Sequence, residues 1–326
     1  MRTKILLIYG HTNHHLGLWN DLIEDSRVIM CTTEPRKLNI LYRVFKRIYL
    51  KLSRITKRIP LKHLFFQYHS IFKITPHVQH LVIIDGALRT IDICELNKCR
   101  KINPKIKISL YLINSIEAQS PIMRGVRPKI SQFRWDSIYT FDEEDAKKWG
   151  YTYLGFNYYS KHVLTTLPDS ASDVFFVGGL KGGRSELIFN LCKRFINYGI
   201  KCDFYLMPID IKNPPQLPGI MYYHGWKPYE EILAHTQRTK CIIEIMQKGQ
   251  CGATLRYFEA VTMNKKLLTN NEHIVKFPFY NPKWMRIFKK VEEVDMEWLT
   301  KEETVNYGYT DEFSPKYFID YLTSKQ

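Results

Sequence analysis

The sequence predicts an α/β fold built from two domains, each with a parallel sheet. Short apolar runs that suit buried strands alternate with stretches whose apolar residues recur at helical spacing. The segment Cys241–Thr269 shows one complete unit: an apolar run, a loop with glycines, an amphipathic helix and a second apolar run. The polar stretch 161–172 divides the alternation, so we expect a linker between domains at 1–160 and 173–326.

In the first part, five apolar runs predict strands. These are Lys4–Tyr9, Arg27–Thr33, His80–Ile84, Lys107–Asn114 and Ser137–Phe141. A helix with one apolar and one basic side is predicted over Asn39–Ile59, and Pro60 ends it. Asp142 is a good N-cap for a helix over Glu143–Trp149. Strands that alternate with helices in this way imply a parallel sheet.

The second part repeats the alternation. Its predicted elements are the strands Asp173–Gly179, Lys201–Met207, Met221–His224, Cys241–Ile245 and Lys266–Thr269, and helices over Ser185–Tyr198, Tyr229–His235, 255–263 and Pro315–Ser324. In such α/β sheets, ligands bind beyond the carboxyl ends of the strands. We therefore examined the loops that follow strands for groups that could hold a ligand.

The loop Gly178–Arg184 follows a strand, precedes a helix and carries four glycines, Lys181 and Arg184. It lacks the GK[ST] ending of a Walker loop and the order of a GxGxxG loop. Glycines such as Gly179 allow close backbone approach, and the two cations could bind phosphate oxygens. The alternative is a tight turn with solvated basic side chains.

The loop before the helix at 255–263 is the second candidate anion site. A helix start offers free backbone N–H groups to a phosphate. The candidate contacts in this loop are Gln250, Gly252, Ala253 and Thr254. Glu259 lies about one turn inside the helix, where a carboxylate could accept hydrogen bonds from the hydroxyls of a ribose. Arg256 either pairs with phosphate or lies on the solvent side of the helix.

Three stretches resemble a known family. They are GQCGATLRYFEAVTMNKKLLTNN with the following HIVKFPFYNP, DVFFVGGLKGGRSELI from Asp173, and DSIYTFDEEDAKKWGYTY from Asp136. These stretches are similar to bacterial glycosyltransferases of the GT-B fold that make capsule, O-antigen and lipopolysaccharide glycans. The resemblance covers the last two thirds of the chain in order, and the first third matches only in general plan.

The resemblance implies two Rossmann-like domains that face each other across a cleft, with the C-terminal helix crossing back to the first domain. It implies a nucleotide-sugar donor in the second domain, no separate cofactor, and Lys181 and Arg184 directed at the pyrophosphate. Many retaining members carry an E-x7-E motif. Glu259 matches its second glutamate, the ribose contact, but Cys251 stands at the first, so the sugar contact does not carry over.

Three residues of the first domain are candidates for a general base. His14 and His15 follow the first predicted strand, and Asp85 follows the third. Solvated loop histidines and an Asp-Gly turn are the alternatives, and a retaining enzyme needs no protein base. The acids Asp142–Asp145 suit a helix N-terminus better than a metal. We therefore predict no metal site and metal-independent chemistry.

The chain has 326 residues and a net charge of +16. Residues 36–84 hold eleven Lys and Arg and no acid. We predict that this basic segment, mainly residues 36–62, rests on the anionic inner face of the cell membrane. No run of about 18 apolar residues predicts a membrane span, and seven cysteines without paired spacing suit a reducing cytosol.

The leading hypothesis is a cytoplasmic glycosyltransferase, peripheral on the membrane, that transfers a sugar from a nucleotide donor to a lipid-linked or surface-polysaccharide glycan. A transferase that moves a polyol phosphate from a CDP-linked donor would use a similar fold. A basic nucleic-acid-binding protein is the non-catalytic alternative, although no RNA-binding motif accompanies the charge.

Overall fold

The computed structural model describes residues 4–10, 17–33, 44–45, 48, 71–117, 121–162, 171–181, 183–225, 227–247 and 251–324. The chain forms two units, each with one six-stranded sheet. The first unit comprises Met1–Leu154 and Phe318–Gln326, and the second comprises Gly155–Tyr317. Every paired strand in both sheets is parallel to its neighbour, which confirms the predicted fold class.

The first sheet has the strand order β2-β1-β3-β4-β5-β6. Its strands are β1 Ile5–Tyr9, β2 Val28–Thr32, β3 His80–Ile84, β4 Lys107–Leu112, β5 Ser137–Thr140 and β6 Thr152–Tyr153. The five strands predicted for this part of the sequence are present. The central strands β1 and β3 are almost wholly buried. Strands covered on both faces read as continuous apolar runs, which explains why the sequence shows them plainly.

Helices connect these strands. They are α1 Ile71–Ile74, α2 Asp85–Leu88, α3 Ile93–Ile102, α4 Pro121–Ile130 and α5 Glu143–Trp149. The predicted cap of α5 is confirmed, because the Asp142 side chain accepts hydrogen bonds from the amides of Glu144 and Asp145. The sequence analysis missed α4, since Gly125 and Pro128 both disfavour a helix interior.

The chain's last helix, α10, spans Pro315–Ser324 as predicted, and its residues from Phe318 onward belong to the first unit. The ring of Phe318 is fully buried. Its centroid lies 5.1 Å from the ring of Tyr111, 5.3 Å from that of Tyr139 and 6.4 Å from that of Trp19. An aromatic cluster therefore anchors the C-terminal helix in the core of the first unit.

The second sheet has the strand order β12-β11-β10-β7-β8-β9. Its strands are β7 Ser172–Leu180, β8 Cys202–Pro208, β9 Ile220–Tyr222, β10 Thr239–Glu244, β11 Lys266–Thr269 and β12 Met285–Ile287. Its helices are α6 Ser185–Asn197, α7 Tyr229–Arg238, α8 Leu255–Thr262 and α9 Met296–Thr300. All five predicted strands are present, and β12, which has only three residues, was not predicted.

The division of the chain differs from the predicted domains, because the second unit begins at Gly155 rather than at residue 173. The first unit ends at Leu154 rather than at residue 160. The physical reason is Tyr159, whose amide donates to the carbonyl of Phe313 at 2.7 Å and whose ring stacks on Phe258. The predicted linker also ends earlier than expected, because β7 begins at Ser172. Residues 163–170 of the linker lie outside the described residues.

The predicted basic helix over Asn39–Ile59 also lies outside the described residues, except at three positions. Val44, Phe45 and Ile48 are helical and their side chains are exposed. Among the described helices, none combines the length and the apolar character needed to cross a lipid bilayer.

Candidate functional site

The strand order of the second sheet places two loops side by side. From β7 the chain continues to β8, on one side in the strand order, and from β10 it continues to β11, on the other side. The neighbouring carboxyl ends of β7 and β10 therefore form a topological switch point. In open α/β sheets, ligands bind in the crevice at this point. The loop after β7 contains Lys181 and Arg184, and the loop after β10 contains Gly252–Thr254. The structure therefore brings both predicted anion-binding loops to one edge.

Arg184 joins the two loops. Its Nε and Nη2 donate to the carbonyl of Gly179 at 2.9 and 2.8 Å, and its Nη1 donates to the carbonyl of Ile245 at 2.8 Å. Gly178 leaves room for this contact, because a Cβ at that position would lie only 3.0 Å from Nη2 of the arginine and from Cζ of Phe176. Burial lowers the pKa of Arg184, although a guanidinium stays charged. Arg184 thus has the contacts of a structural bridge.

Lys181 differs from Arg184 in having its ammonium available. It makes no ion pair with any residue in the described part of the chain, and its side chain is partly exposed. Burial and the nearby Arg184 lower the pKa of Lys181, while Asp210 opposes the shift. A half-buried cation beside a second fixed cation favours an anionic ligand, because the ligand would relieve the repulsion between them.

Glu244 organises the loop after β10, and the sequence analysis missed it. Both of its oxygens accept hydrogen bonds from hydroxyls: Oε1 from Thr254 and Oε2 from Thr269 at 2.5 Å. The Thr254 Oγ1 also accepts from the amide of Arg256, so Thr254 caps α8. Burial raises the pKa of Glu244, and the two threonine hydroxyls oppose that shift. One buried carboxyl therefore ties the ends of β10 and β11 to the start of α8.

Two asparagines after β11 hold the rest of this loop. The Asn270 side chain accepts from the amide of Met246 at 2.7 Å. The Asn271 amide group donates weakly to the carbonyls of Cys251 and Gly252, at 3.4 and 3.5 Å. Ala253 is buried and Gly252 is half-buried. Gln250 lies outside the described residues. Asn271 thus supports the loop through its carbonyls, and in the first turn of α8 the amide of Arg256 donates to Thr254 Oγ1 and that of Tyr257 to the Thr254 carbonyl. The partial positive charge of the helix N-terminus still favours an anion there.

Glu259 lies beneath this surface. Its side chain is 0% exposed, and its Oε1 accepts from the Tyr229 hydroxyl at 2.8 Å. The other oxygen, Oε2, lies 2.6 Å from Nη1 of Arg256. Burial raises the pKa of Glu259 to about 7, although Arg256 and the Tyr229 hydroxyl oppose the shift. The structure thus places Glu259 in a polar network.

The same network determines the surroundings of Arg256 and of the segment before the linker. Arg256 is only 9% exposed, so its side chain is buried and does not lie on the solvent side of α8. The Tyr229 hydroxyl also lies 3.0 Å from that of Tyr159. The network therefore joins α8 to α7 and to the start of the second unit.

In the first unit, Asp85 begins α2 directly after β3, at the switch point between β1 and β3. Its Oδ2 accepts hydrogen bonds from the amides of Ile113 and Asn114 and from the Asn114 side chain, at 2.9–3.1 Å. The residue is fully buried. Burial raises the pKa of Asp85 to about 6, although hydrogen bonds from Asn114 oppose the shift. Asp85 thus fixes the loop after β4. His14 and His15 lie outside the described residues.

Within the described ranges, no group of three or more His, Cys, Asp or Glu side chains clusters as metal ligands do. The acids Asp142 and Asp145 are used by the backbone instead. Asp142 caps α5, and Asp145 Oδ2 accepts from the amide of Ile116 at 2.6 Å.

One feature of the sequence does point to Glu244: a carboxylate ends an otherwise apolar strand and precedes a glycine loop. A buried acid in that position needs hydrogen-bond donors. Thr269 and Asn271 carried no signal of their own, since their contacts depend on β11 lying next to β10.

The sequence matches no protein-family model and no curated protein. Solved structures, in contrast, share its architecture. An alpha-glucosyltransferase in complex with UDP and a 13-mer DNA containing a HMU base, at 2.8 Å resolution, is 12% identical, with a TM-score of 0.56 over 92% of this chain and 89% of that chain. The S. aureus MnaA-UDP structure is 10% identical, with a TM-score of 0.51 over 98% of this chain and 96% of that chain.

The chain has the GT-B fold. A second structure of the alpha-glucosyltransferase with UDP and DNA, at 1.9 Å resolution, agrees, with 10% identity and a TM-score of 0.55 over 99% of both chains. At such low identity, the likeness concerns the fold and not individual residues. The arrangement at the ends of β7 and β10 is therefore the basis for inferring what this GT-B chain does.

Proposed function

We propose that this chain is a glycosyltransferase that moves a sugar from a nucleotide-sugar donor to a lipid-linked or surface-polysaccharide acceptor. The observation that carries the proposal is the switch point of the second sheet, where Arg184 ties the loop after β7 to the loop after β10. This contact holds the available ammonium of Lys181 at the same edge as the N-terminus of α8. A pyrophosphate fits these groups, because both are positive and follow the carboxyl ends of neighbouring strands.

In the proposed reaction, the donor site must stabilise the negative charge of the departing nucleoside diphosphate. Positive groups that are fixed before the reaction do this without reorganisation. In the proposed site Lys181 supplies a full charge, and the amides after Thr254 supply the helix dipole. We propose that these groups suffice without a bound metal.

Ribose binding by Glu259, as proposed, requires a change in its present hydrogen bonds. Its carboxylate must exchange the Tyr229 hydroxyl or the Arg256 guanidinium for ribose hydroxyls when the donor binds. A released Arg256 would then be free to meet a phosphate. Donor binding would thus use both residues together.

On the acceptor side we propose a base only among His14, His15 and Asp85. The pKa of Asp85, about 6, suits a base near neutral pH. Its burial and its three hydrogen bonds through Oδ2 favour a positioning role for Asp85 instead. The histidines therefore come first in a test by substitution.

The direct test is a binding and hydrolysis screen of the whole chain against UDP-, GDP-, dTDP- and CMP-sugars, with CDP-glycerol included. We expect micromolar to millimolar affinity for one nucleotide class and slow hydrolysis of its sugar. Lys181→Ala should weaken the binding of the nucleoside diphosphate about tenfold, equivalent to about 1.4 kcal/mol. The affinity for the free nucleoside should not change. Binding of CDP-glycerol alone would indicate the polyol-phosphate transferase, and binding of no nucleotide would refute both.

The membrane contact is a separate proposal that rests on charge. Each Lys or Arg near an anionic surface contributes on the order of 1 kcal/mol, and salt weakens it. We expect the chain to sediment with liposomes that contain anionic lipid at low salt and to be released at high salt. Replacement by Gln at five basic positions, 43, 47, 51, 54 and 58, should abolish sedimentation and leave donor binding intact. Equal sedimentation with neutral liposomes would contradict the proposal.

A nucleic-acid acceptor is the second candidate. The alpha-glucosyltransferase of similar fold was solved with DNA, and this chain has a net charge of +16. Binding to nucleic acid by phosphate contacts alone falls steeply with salt. Transfer of sugar to DNA or RNA, or tight binding that persists at about 0.15 M salt, would favour this candidate over a glycan acceptor.

A further inference from the structure

A cavity of about 700 Å³ opens on the first unit. Most of its lining comes from the C-terminal ends of α4 and α5, the amino ends of β5 and β6, and the loops that join α4 to β5 and α5 to β6. Among the described residues, its lining includes neither Asp85 nor any residue of the second unit. Neither the proposed donor site nor Asp85 thus accounts for it.

Aromatic side chains form one wall of this cavity. Trp149 ends α5 and is 48% exposed, which is unusual for so large an apolar group. Trp135 is held rigidly, because its Nε1 donates to the carbonyl of Ile130 at 3.0 Å and its ring packs edge-on against Phe133. Tyr151 completes the wall. The Nζ of Lys148 lies over one face of the Trp149 ring, 5.3 Å from its centroid, so the opposite face is the one that could stack against a flat ligand surface.

The charged side chains that line the cavity leave a net positive charge for a ligand. Asp136 is already used, since its Oδ2 lies 2.8 Å from Nη2 of Arg100 and accepts from the amide of Ile108 at 2.7 Å. Arg134 is exposed and makes no ion pair within the described residues. The hydroxyls of Ser131 and Thr152 add neutral hydrogen-bonding groups. Arg127 also lines the cavity, but its Nε donates to the carbonyl of Ile116. The charge left for a ligand is therefore the guanidinium of Arg134, which pairs best with a carboxylate or phosphate.

We propose that this cavity binds a sugar residue that carries a carboxylate, as part of a longer glycan. The apolar face of the ring would stack on Trp149, its hydroxyls would meet Ser131 and Thr152, and its carboxylate would pair with Arg134. An isoprenyl chain suits the site less, because it would leave the guanidinium of Arg134 and the hydroxyls of Ser131 and Thr152 without a hydrogen-bonding partner on the ligand. This inference rests on the proposed glycosyltransferase function and deepens it, since it makes the acceptor an acidic polysaccharide held at a second point.

The test is calorimetric titration of the whole chain with trigalacturonate, a short acidic saccharide, and with maltotriose, a neutral one, at about 0.15 M salt. We expect binding of trigalacturonate only. Trp149→Ala and Arg134→Gln should each weaken it about tenfold, a loss equal to about 1.4 kcal/mol.

Matched control variants distinguish binding at this cavity from attraction of the saccharide to the overall positive charge of the chain. Tyr198 is also an exposed ring, at the end of α6 beneath Arg194, so Tyr198→Ala matches Trp149→Ala. Lys101→Gln, in the same unit, matches the charge change of Arg134→Gln. Both controls should bind as the wild type does. Circular dichroism and the melting temperature of each variant check that it is folded.

Any of four titration results would overturn the inference: no binding of trigalacturonate, equal binding of maltotriose, equal losses in Arg134→Gln and Lys101→Gln, or wild-type affinity in Trp149→Ala. A fifth result would also overturn it, namely that farnesyl phosphate binds at this cavity and the saccharide does not. The nucleotide screen is run on the same preparations. Nucleotide binding without saccharide binding refutes only this inference, whereas the absence of nucleotide binding refutes the proposed function.

Discussion

Nη1 of Arg184 donates a hydrogen bond to the carbonyl oxygen of Ile245 at 2.8 Å, and so joins the loop after β7 to the strand end of β10. The two positions are far apart in sequence and meet only because β7 and β10 are neighbours in the sheet. The contact makes Arg184 a structural part of the proposed donor site and leaves Lys181 as its available cation.

Arg184→Ala should therefore destabilise the second unit, and Lys181→Ala should not. The arginine's charged hydrogen bonds are worth about 1.5–3 kcal/mol, and their loss leaves two carbonyls without these donors. We expect calorimetry to show a melting temperature lower by several degrees for Arg184→Ala, while Lys181→Ala stays within about one degree of the wild type. An unchanged melting temperature for Arg184→Ala, with donor affinity lost, would make the arginine a direct phosphate ligand instead.

Thr254→Val should weaken both the α8 cap and the support of Glu244. The substitution keeps the shape of the side chain, but removes an N-cap worth about 1 kcal/mol and a hydroxyl that donates to a buried carboxyl. We expect a loss of about 2–3 kcal/mol in unfolding free energy, and weaker nucleotide binding. Thr254→Ser, which keeps the hydroxyl, should retain most of both. A serine variant as impaired as the valine variant would contradict the role of the hydroxyl.

Glu259 should make the second unit less stable as pH rises. Its pKa in the folded chain, about 7, exceeds its ordinary value of 4.5, so the folded state binds a proton more tightly than the unfolded state. Its contribution to stability is thus full below about pH 4.5 and is lost as pH rises to about 7. At about 1.4 kcal/mol per pKa unit, the loss is on the order of 3 kcal/mol at most.

The measurement is the melting temperature of Glu259→Gln minus that of the wild type, which should rise between pH 5 and pH 8. Glu312→Gln is the control. Burial slightly opposes the shift at Glu312, but backbone amides of Asp311 and Thr310 lower its pKa to about 2, so its difference should be flat over that range. A flat difference for Glu259→Gln would show that the carboxyl stays ionised.

The C-terminal helix should depend on packing rather than on its ion pair. Asp320 lies 2.6 Å from Arg27 but is 57% exposed, and exposed pairs contribute about 0–1 kcal/mol. Phe318 is fully buried among three rings, and Phe→Ala in a core costs about 3–5 kcal/mol. Phe318→Ala should lower the melting temperature of the first unit strongly and Asp320→Ala hardly at all. Equal effects would place the anchor at the ion pair.

The sequence by itself determined the alternation of strands and helices, the parallel sheets and the capped start of α5. These features depend on local periodicity and on buried strands such as β3 and β10, whose apolar runs are visible without knowledge of their neighbours. The sequence also placed the glycine loop and the start of α8 correctly after strands β7 and β10.

Only the tertiary structure decided which groups meet. Strand order is set by packing between distant segments, so the contact between Arg184 and Ile245, and the position of Glu244 between Thr254 and Thr269, could not be read from spacing. Burial decided the chemistry of Glu259 for the same reason. Helical periodicity placed this residue correctly in α8. Tyr229, however, comes from another helix and packs over the carboxyl. Glu259 is therefore buried in a polar network rather than exposed to a ligand at the surface.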